Sequence, residues 1–104
     1  MAALKPARPI KRPPTHPGAL MSEILDDHVR LPIAQAARRM GVSRPALYAV
    51  MNGQAAVSAD MALRFSRLVG GEPELFLWMQ DNHDLWHARR RLAATLDRIE
   101  PAAA

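Results

Sequence analysis

The run His83-Asp84-Leu85-Trp86-His87 is the nearest approach to a catalytic signature in this 104-residue chain. Histidines four apart share one face of a helix. A carboxylate between them copies the arrangement that binds zinc and supplies a general base. A catalytic zinc, however, takes three protein ligands and keeps one position open. The chain has no cysteine, and His16 and His28 lie in segments with no sequence reason to converge on that helix. An aspartate also reaches less far than a glutamate as the base. The pair therefore reads as two surface histidines beside a tryptophan. No metal or cofactor is expected, and the chain is not read as an enzyme.

The arginines suggest a different chemistry. Lys5, Arg8, Lys11 and Arg12 account for the whole net charge of +4, and the remaining ten bases match the ten acids. The balanced part is polarised all the same. Residues 29–59 hold Arg30, Arg38, Arg39 and Arg44 without an acid, while residues 72–84 hold Glu72, Glu74, Asp81 and Asp84 without a lysine or arginine. One face is suited to phosphate and another to a basic or neutral partner.

Proline and glycine mark the elements that position these charges. Residues 1–14 form a basic, proline-rich arm, in which each proline removes a donor and disfavours helix before it. Leu20, Ile24 and Leu25 recur at helical spacing in a first helix ending near Asp27 or His28. Pro32 suits the first turn of a second helix. Its buried stripe is Ile33, Ala36, Ala37 and Met40, and Gly41 stops it in the left-handed conformation. Ser43 caps a third helix with Pro45 in its first turn, and Asn52-Gly53 closes it. Ser58 caps a fourth, with Ala62, Leu63, Phe65, Leu68 and Val69 expected to face inward and Gly70-Gly71 at its end. Pro73 opens a stretch of about 28 residues without a breaker, roughly 42 Å if continuous. The fold class is all-α with five helices: the arm (1–14), a helical domain (15–72) and a long C-terminal helix (73–100). No apolar run approaches the length needed to span a bilayer. The N-terminus lacks the apolar stretch of a secretory signal, so the cytoplasm is the expected location.

The stretch PIAQAARRMGVSRPALYAVMNG, residues 32–53, has the grammar of a helix-turn-helix. Two helices crossing tightly need small side chains at the contact, here Ala36 and Ala37. The sharp turn needs Gly41, and Val42 plugs its corner. Leu47 and Val50 anchor the back of the second helix, leaving its N-terminal turn to enter a major groove.

With these residues in place, the chain resembles the HigA-type antitoxins of the phage-repressor-like (XRE) helix-turn-helix family over residues 13–87. The resemblance rests on RPPTHPG at 12–18, AARRMGVSRPALYAVMNG at 36–53 and SADMALRFSRLVG at 58–70. PELFLWMQ at 73–80 and DLWHAR at 84–89 extend it. It implies a lambda-repressor-like fold and a homodimer on double-stranded, palindromic operator DNA. It also implies repression of the chain's own operon and neutralisation of a RelE-like (HigB-type) ribonuclease toxin. A stand-alone transcriptional regulator is the alternative, and a protein-interaction module without DNA binding is a third. Carried over residue by residue, the resemblance puts the Ser43 hydroxyl and amide on a phosphate. It makes Arg44 the reader of a base, since a guanidinium pairs bidentately with guanine. Ala46, Tyr48 and Ala49 take the other groove-facing positions, and Asn52 reaches the backbone. Packing of Tyr48 against the first helix is the competing role for that side chain.

The departures concern phosphate contacts. Ile33 stands where many relatives carry glutamine, Ala49 where the position is often polar, and Gln54, Ala55 and Ala56 where the loop is often basic. Ala19 replaces the glutamate of the usual lead-in, and Phe76 stands in place of a tryptophan, with Trp78 two residues on. Fewer phosphate contacts imply weaker, less salt-dependent binding or reliance on the basic arm. A dimer contact is expected within residues 73–99. Trp78, Met79 and Trp86 are its anchors there, and Leu85, Leu92, Leu96 and Ile99 form an apolar line at near-heptad spacing.

Overall fold

The structure, a computed structural model, describes residues 12–103, all helices and connecting turns. Lys5, Arg8 and Lys11 of the expected basic arm lie outside the described residues. Helix α1 (Pro17–Glu23) runs on as a π-helical turn, Ile24–His28, so the first helical segment ends at His28 as its spacing indicates. Helices α2 (Ile33–Met40), α3 (Arg44–Met51), α4 (Ala59–Val69) and α5 (Pro73–Arg91) follow, with a short α6 (Ala93–Asp97). Pro32 is the residue before α2, extended at ψ 144°, rather than part of its first turn.

One core joins these helices. Phe65, Met21, Leu25 and Leu47 are its largest fully buried side chains, with Ala36, Ala37, Val50, Ala62 and Phe76 around them. Phe65 of α4 meets Phe76 of α5 edge to face at 5.4 Å between ring centres. Burying each such ring is worth about 1.5–3 kcal/mol. Ala36 and Ala37 are buried as the tight crossing of α2 and α3 requires. Gly18 serves the crossing of α1 over α3. A Cβ there would overlap the carbonyl oxygen of Val50 and lie 2.9 Å from that of Met51.

Two further expectations fail. Leu63 is 58% exposed, and Met61, one turn from Phe65, takes the inward place instead. The C-terminal stretch is not one continuous helix. It breaks at Leu92, with φ −99° and ψ 8°, before α6. Arg89, Arg90 and Arg91 crowd the last turn of α5, where cations complement the helix dipole and favour an end. Every residue from Arg89 to Glu100 is exposed, so no core holds the helix straight.

Candidate nucleic-acid interface

The turn between α2 and α3 has the geometry its residues dictate. Gly41 adopts φ 74° and ψ 31°, and the amide of Val42 donates to the Ala37 carbonyl at 3.0 Å. Val42 is half-buried against the core. Arg64 of α4 donates from Nη1 to the Met40 carbonyl at 2.7 Å, satisfying an acceptor that the end of α2 leaves open. Ser43 then caps α3, its Oγ accepting the Ala46 amide at 3.2 Å. That bond uses a lone pair on the oxygen and leaves the hydroxyl proton to donate outward.

Helix α3 buries Leu47 and Val50, packs Met51 partly against the core and leaves Arg44, Pro45, Ala46 and Tyr48 exposed. Ser43, Arg44, Ala46 and Asn52 are all exposed, and so is Tyr48 at 44%. Ala49 is half-buried, and its carbonyl accepts the amides of Gln54 and Ala55 at 2.8 and 3.0 Å. Arg44 makes no ion pair with any described residue; the one such contact among them joins His83 to Asp84 at 3.7 Å. Ser43, Arg44, Ala46, Tyr48 and Asn52 thus share an exposed surface from the cap of α3 to its end. An unpaired guanidinium in the first turn is placed to meet an anion or a base edge. Ile33 is half-buried and packs against the core.

His16 and Gln80 belong to this region and were not identified from the sequence. His16 caps α1, its Nδ1 accepting the Gly18 amide at 2.9 Å while Nε2 donates to the Ala55 carbonyl at 3.1 Å. Gln80 is buried on α5. Its Oε1 accepts the Val57 amide and its Nε2 donates to Asp84 Oδ1, both at 2.9 Å. A usable sequence signal existed for Gln80, which follows Phe76 by four residues and so shares its buried face. For His16 the signal was its place before Pro17-Gly18, the position of a cap.

The expectation that His16 stays away from the His83/His87 pair is also corrected. The His16 and His83 rings meet edge to face at 5.1 Å, and His83 and His87 stand 4.5 Å apart. Both ring nitrogens of His16 are already committed to the protein. Among the described residues no group of three His, Cys, Asp or Glu is arranged to hold a metal. Burial, then the neighbouring His16 and His87, lowers the His83 pKa below 6.5, with Asp84 opposing. No described helix is long and apolar enough to cross a membrane.

Comparison with known proteins agrees with this geometry. Residues 27–76, from the π-helical turn to Phe76, match the helix-turn-helix family. Virulence-associated protein A' of Dichelobacter nodosus is 38% identical over 77 residues. That match covers 73% of this chain and 65% of the relative's length, so the chain spans just under two thirds of it. An addiction module antidote protein of the HigA family from Coxiella burnetii superposes with a TM-score of 0.77 at 27% identity, covering 86% of this chain and 99% of that one. A Pseudomonas aeruginosa protein solved in complex with its operator DNA is 30% identical with a TM-score of 0.74, over 89% and 98% of the two chains. This chain belongs to the XRE-type helix-turn-helix family, and its fold is similar to that of a HigA-family antidote protein.

Proposed function

We propose that the chain is an operator-binding antitoxin of the cytoplasm. It binds double-stranded DNA as a homodimer, represses its own operon and neutralises a RelE-like (HigB-type) ribonuclease toxin. The observation that carries the reading is Arg44, exposed and unpaired in the first turn of a capped α3. The operator complex of the Pseudomonas relative and the antidote role of the Coxiella relative support it. In this reading Arg44 reads a base, Ser43 and Asn52 hold phosphates at the two ends of α3, and Ala46, Tyr48 and Ala49 line the groove.

A gel shift with the DNA upstream of the gene tests the base reader. Arg44→Ala should weaken specific binding by about 1–3 kcal/mol and relax preference at one base pair in each half-site. Unchanged binding by that variant removes Arg44 from the interface. Co-purification with the product of the neighbouring gene tests the toxin partner. A chain that binds the operator but captures no such product is a stand-alone regulator.

The exposed apolar faces of the C-terminal helices support the dimer. The molecule extends 52 × 28 × 24 Å with a radius of gyration of 16.8 Å, against about 13 Å for a compact chain of this length. Trp78 is 65% exposed, and Leu75, Leu85, Leu92, Leu96 and Ile99 are exposed with it. An apolar surface of this kind marks an association site, and a second copy of α5 and α6 is the partner that fits it.

A further inference from the structure

We infer that Gln80 is a positioning residue for the nucleic-acid face, fixing the loop of residues 53–57 so that it meets the phosphate backbone through uncharged donors. The inference rests on the operator reading given above. The loop follows α3 and carries Gln54, Ala55 and Ala56, with no lysine or arginine. Whatever it gives to DNA must come from neutral groups held in place.

The main chain shows how it is held. The amides of Gly53, Gln54 and Ala55 donate back to the carbonyls of Val50 and Ala49. Ala55 is fixed a second time by His16 Nε2 on its carbonyl, and Val57 by Gln80 on its amide. The Ala56 amide lies between these two clamps and has no acceptor among the described residues, and Ala56 is exposed. An amide so placed is a pre-organised donor for an anionic oxygen, and its rigidity is what makes a single neutral contact count.

The orientation of Gln80 is itself determined. Asp84 Oδ1 can only accept, so it draws the amide nitrogen of Gln80 and leaves Oε1 toward Val57. A leucine would fill the same space without burying an amide at a cost. The polar side chain serves the loop rather than the core. His16 and Gln80 reach the loop from opposite ends of the chain, and Gln80 does so from the helix proposed to form the dimer.

The test uses the full chain and its upstream DNA, titrated at several salt concentrations near about 150 mM. Gln80→Leu should weaken binding about 5–10-fold and leave the slope against log salt unchanged, because a neutral contact releases no counterion. Gln80→Glu should weaken it further, since its carboxylate faces that of Asp84. The double variant Gln80→Glu/Asp84→Asn re-creates the bond with donor and acceptor exchanged and should regain most of the loss. Wild-type binding in Gln80→Leu overturns the role, as does a double variant no better than Gln80→Glu. Hydrogen exchange gives an independent reading: the Val57 amide should be protected in the wild type and exposed in Gln80→Leu, and equal protection overturns the clamp. A wild-type chain that binds none of its upstream DNA overturns the operator reading itself, and this role with it.

Discussion

One histidine in this molecule, His83, has its protonation set by its contacts. His16 accepts at Nδ1 and donates at Nε2, which fixes its ring edge to face against that of His83. His83 is pressed against His16 and His87, and its pKa is lowered first by burial and then by those two rings. The sign of the pH dependence follows. The unfolded chain, with a histidine near 6.5, takes up a proton more readily than the folded one, so stability is lost as the pH falls below that value. The urea midpoint should drop between about pH 7.5 and about pH 5.5, and His83→Phe should flatten the slope. A midpoint that rises on acidification contradicts the packing described here. None of this was legible in the sequence, where His16 and His83 stand far apart and only the fold sets their rings together.

At the scale of elements, the helix-turn-helix was the most legible part. Gly41, Ser43, Pro45 and the Asn52-Gly53 pair act through their own backbone preferences, and each does so here: a left-handed stop, a cap, a first-turn proline and a C-terminal turn. The less legible features depend on neighbours. Leu63 has the hydropathy of a core residue but stands on the outer side of α4, whereas Met21, not among the expected apolar positions, is fully buried. The break at Leu92 has no proline or glycine to announce it. Gly18 shows what tertiary contact adds, since its role comes from α3 lying across it. Gly18→Ala should destabilise by about 1–3 kcal/mol by overpacking, lowering the thermal midpoint by about 4–8 °C for each kcal/mol. Because α1 would be pushed off the end of α3, operator affinity should fall as well. A variant with the wild-type midpoint would show that the two helices do not cross this closely.

The whole molecule has two parts with opposite needs. Residues from α1 to the first turns of α5 share one core, whereas the end of α5 and all of α6 contribute no buried residue to it and are exposed. A helix as short as Ala93–Asp97 has no independent stability in water, where isolated helices below about 12–15 residues are marginal. The proposed dimer would give it a surface to pack on, and the exposed line Leu75, Trp78, Leu85, Leu92, Leu96 and Ile99 offers the same chemistry in return. Trp78 is the expected anchor, because a large aromatic ring at the centre of an interface typically costs about 2 kcal/mol or more to truncate. Trp78→Ser should therefore weaken self-association by about 30-fold or more, read by analytical ultracentrifugation. Leu96→Glu should melt α6 without disturbing the core around Phe65. Operator binding should respond too, because a dimer joins two half-sites and a monomer holds one. The informative comparison is a half-site against a full site. Trp78→Ser should bind the half-site as the wild type does and lose the advantage of the full site. A variant that keeps that advantage places the dimer seam elsewhere than α5 and α6.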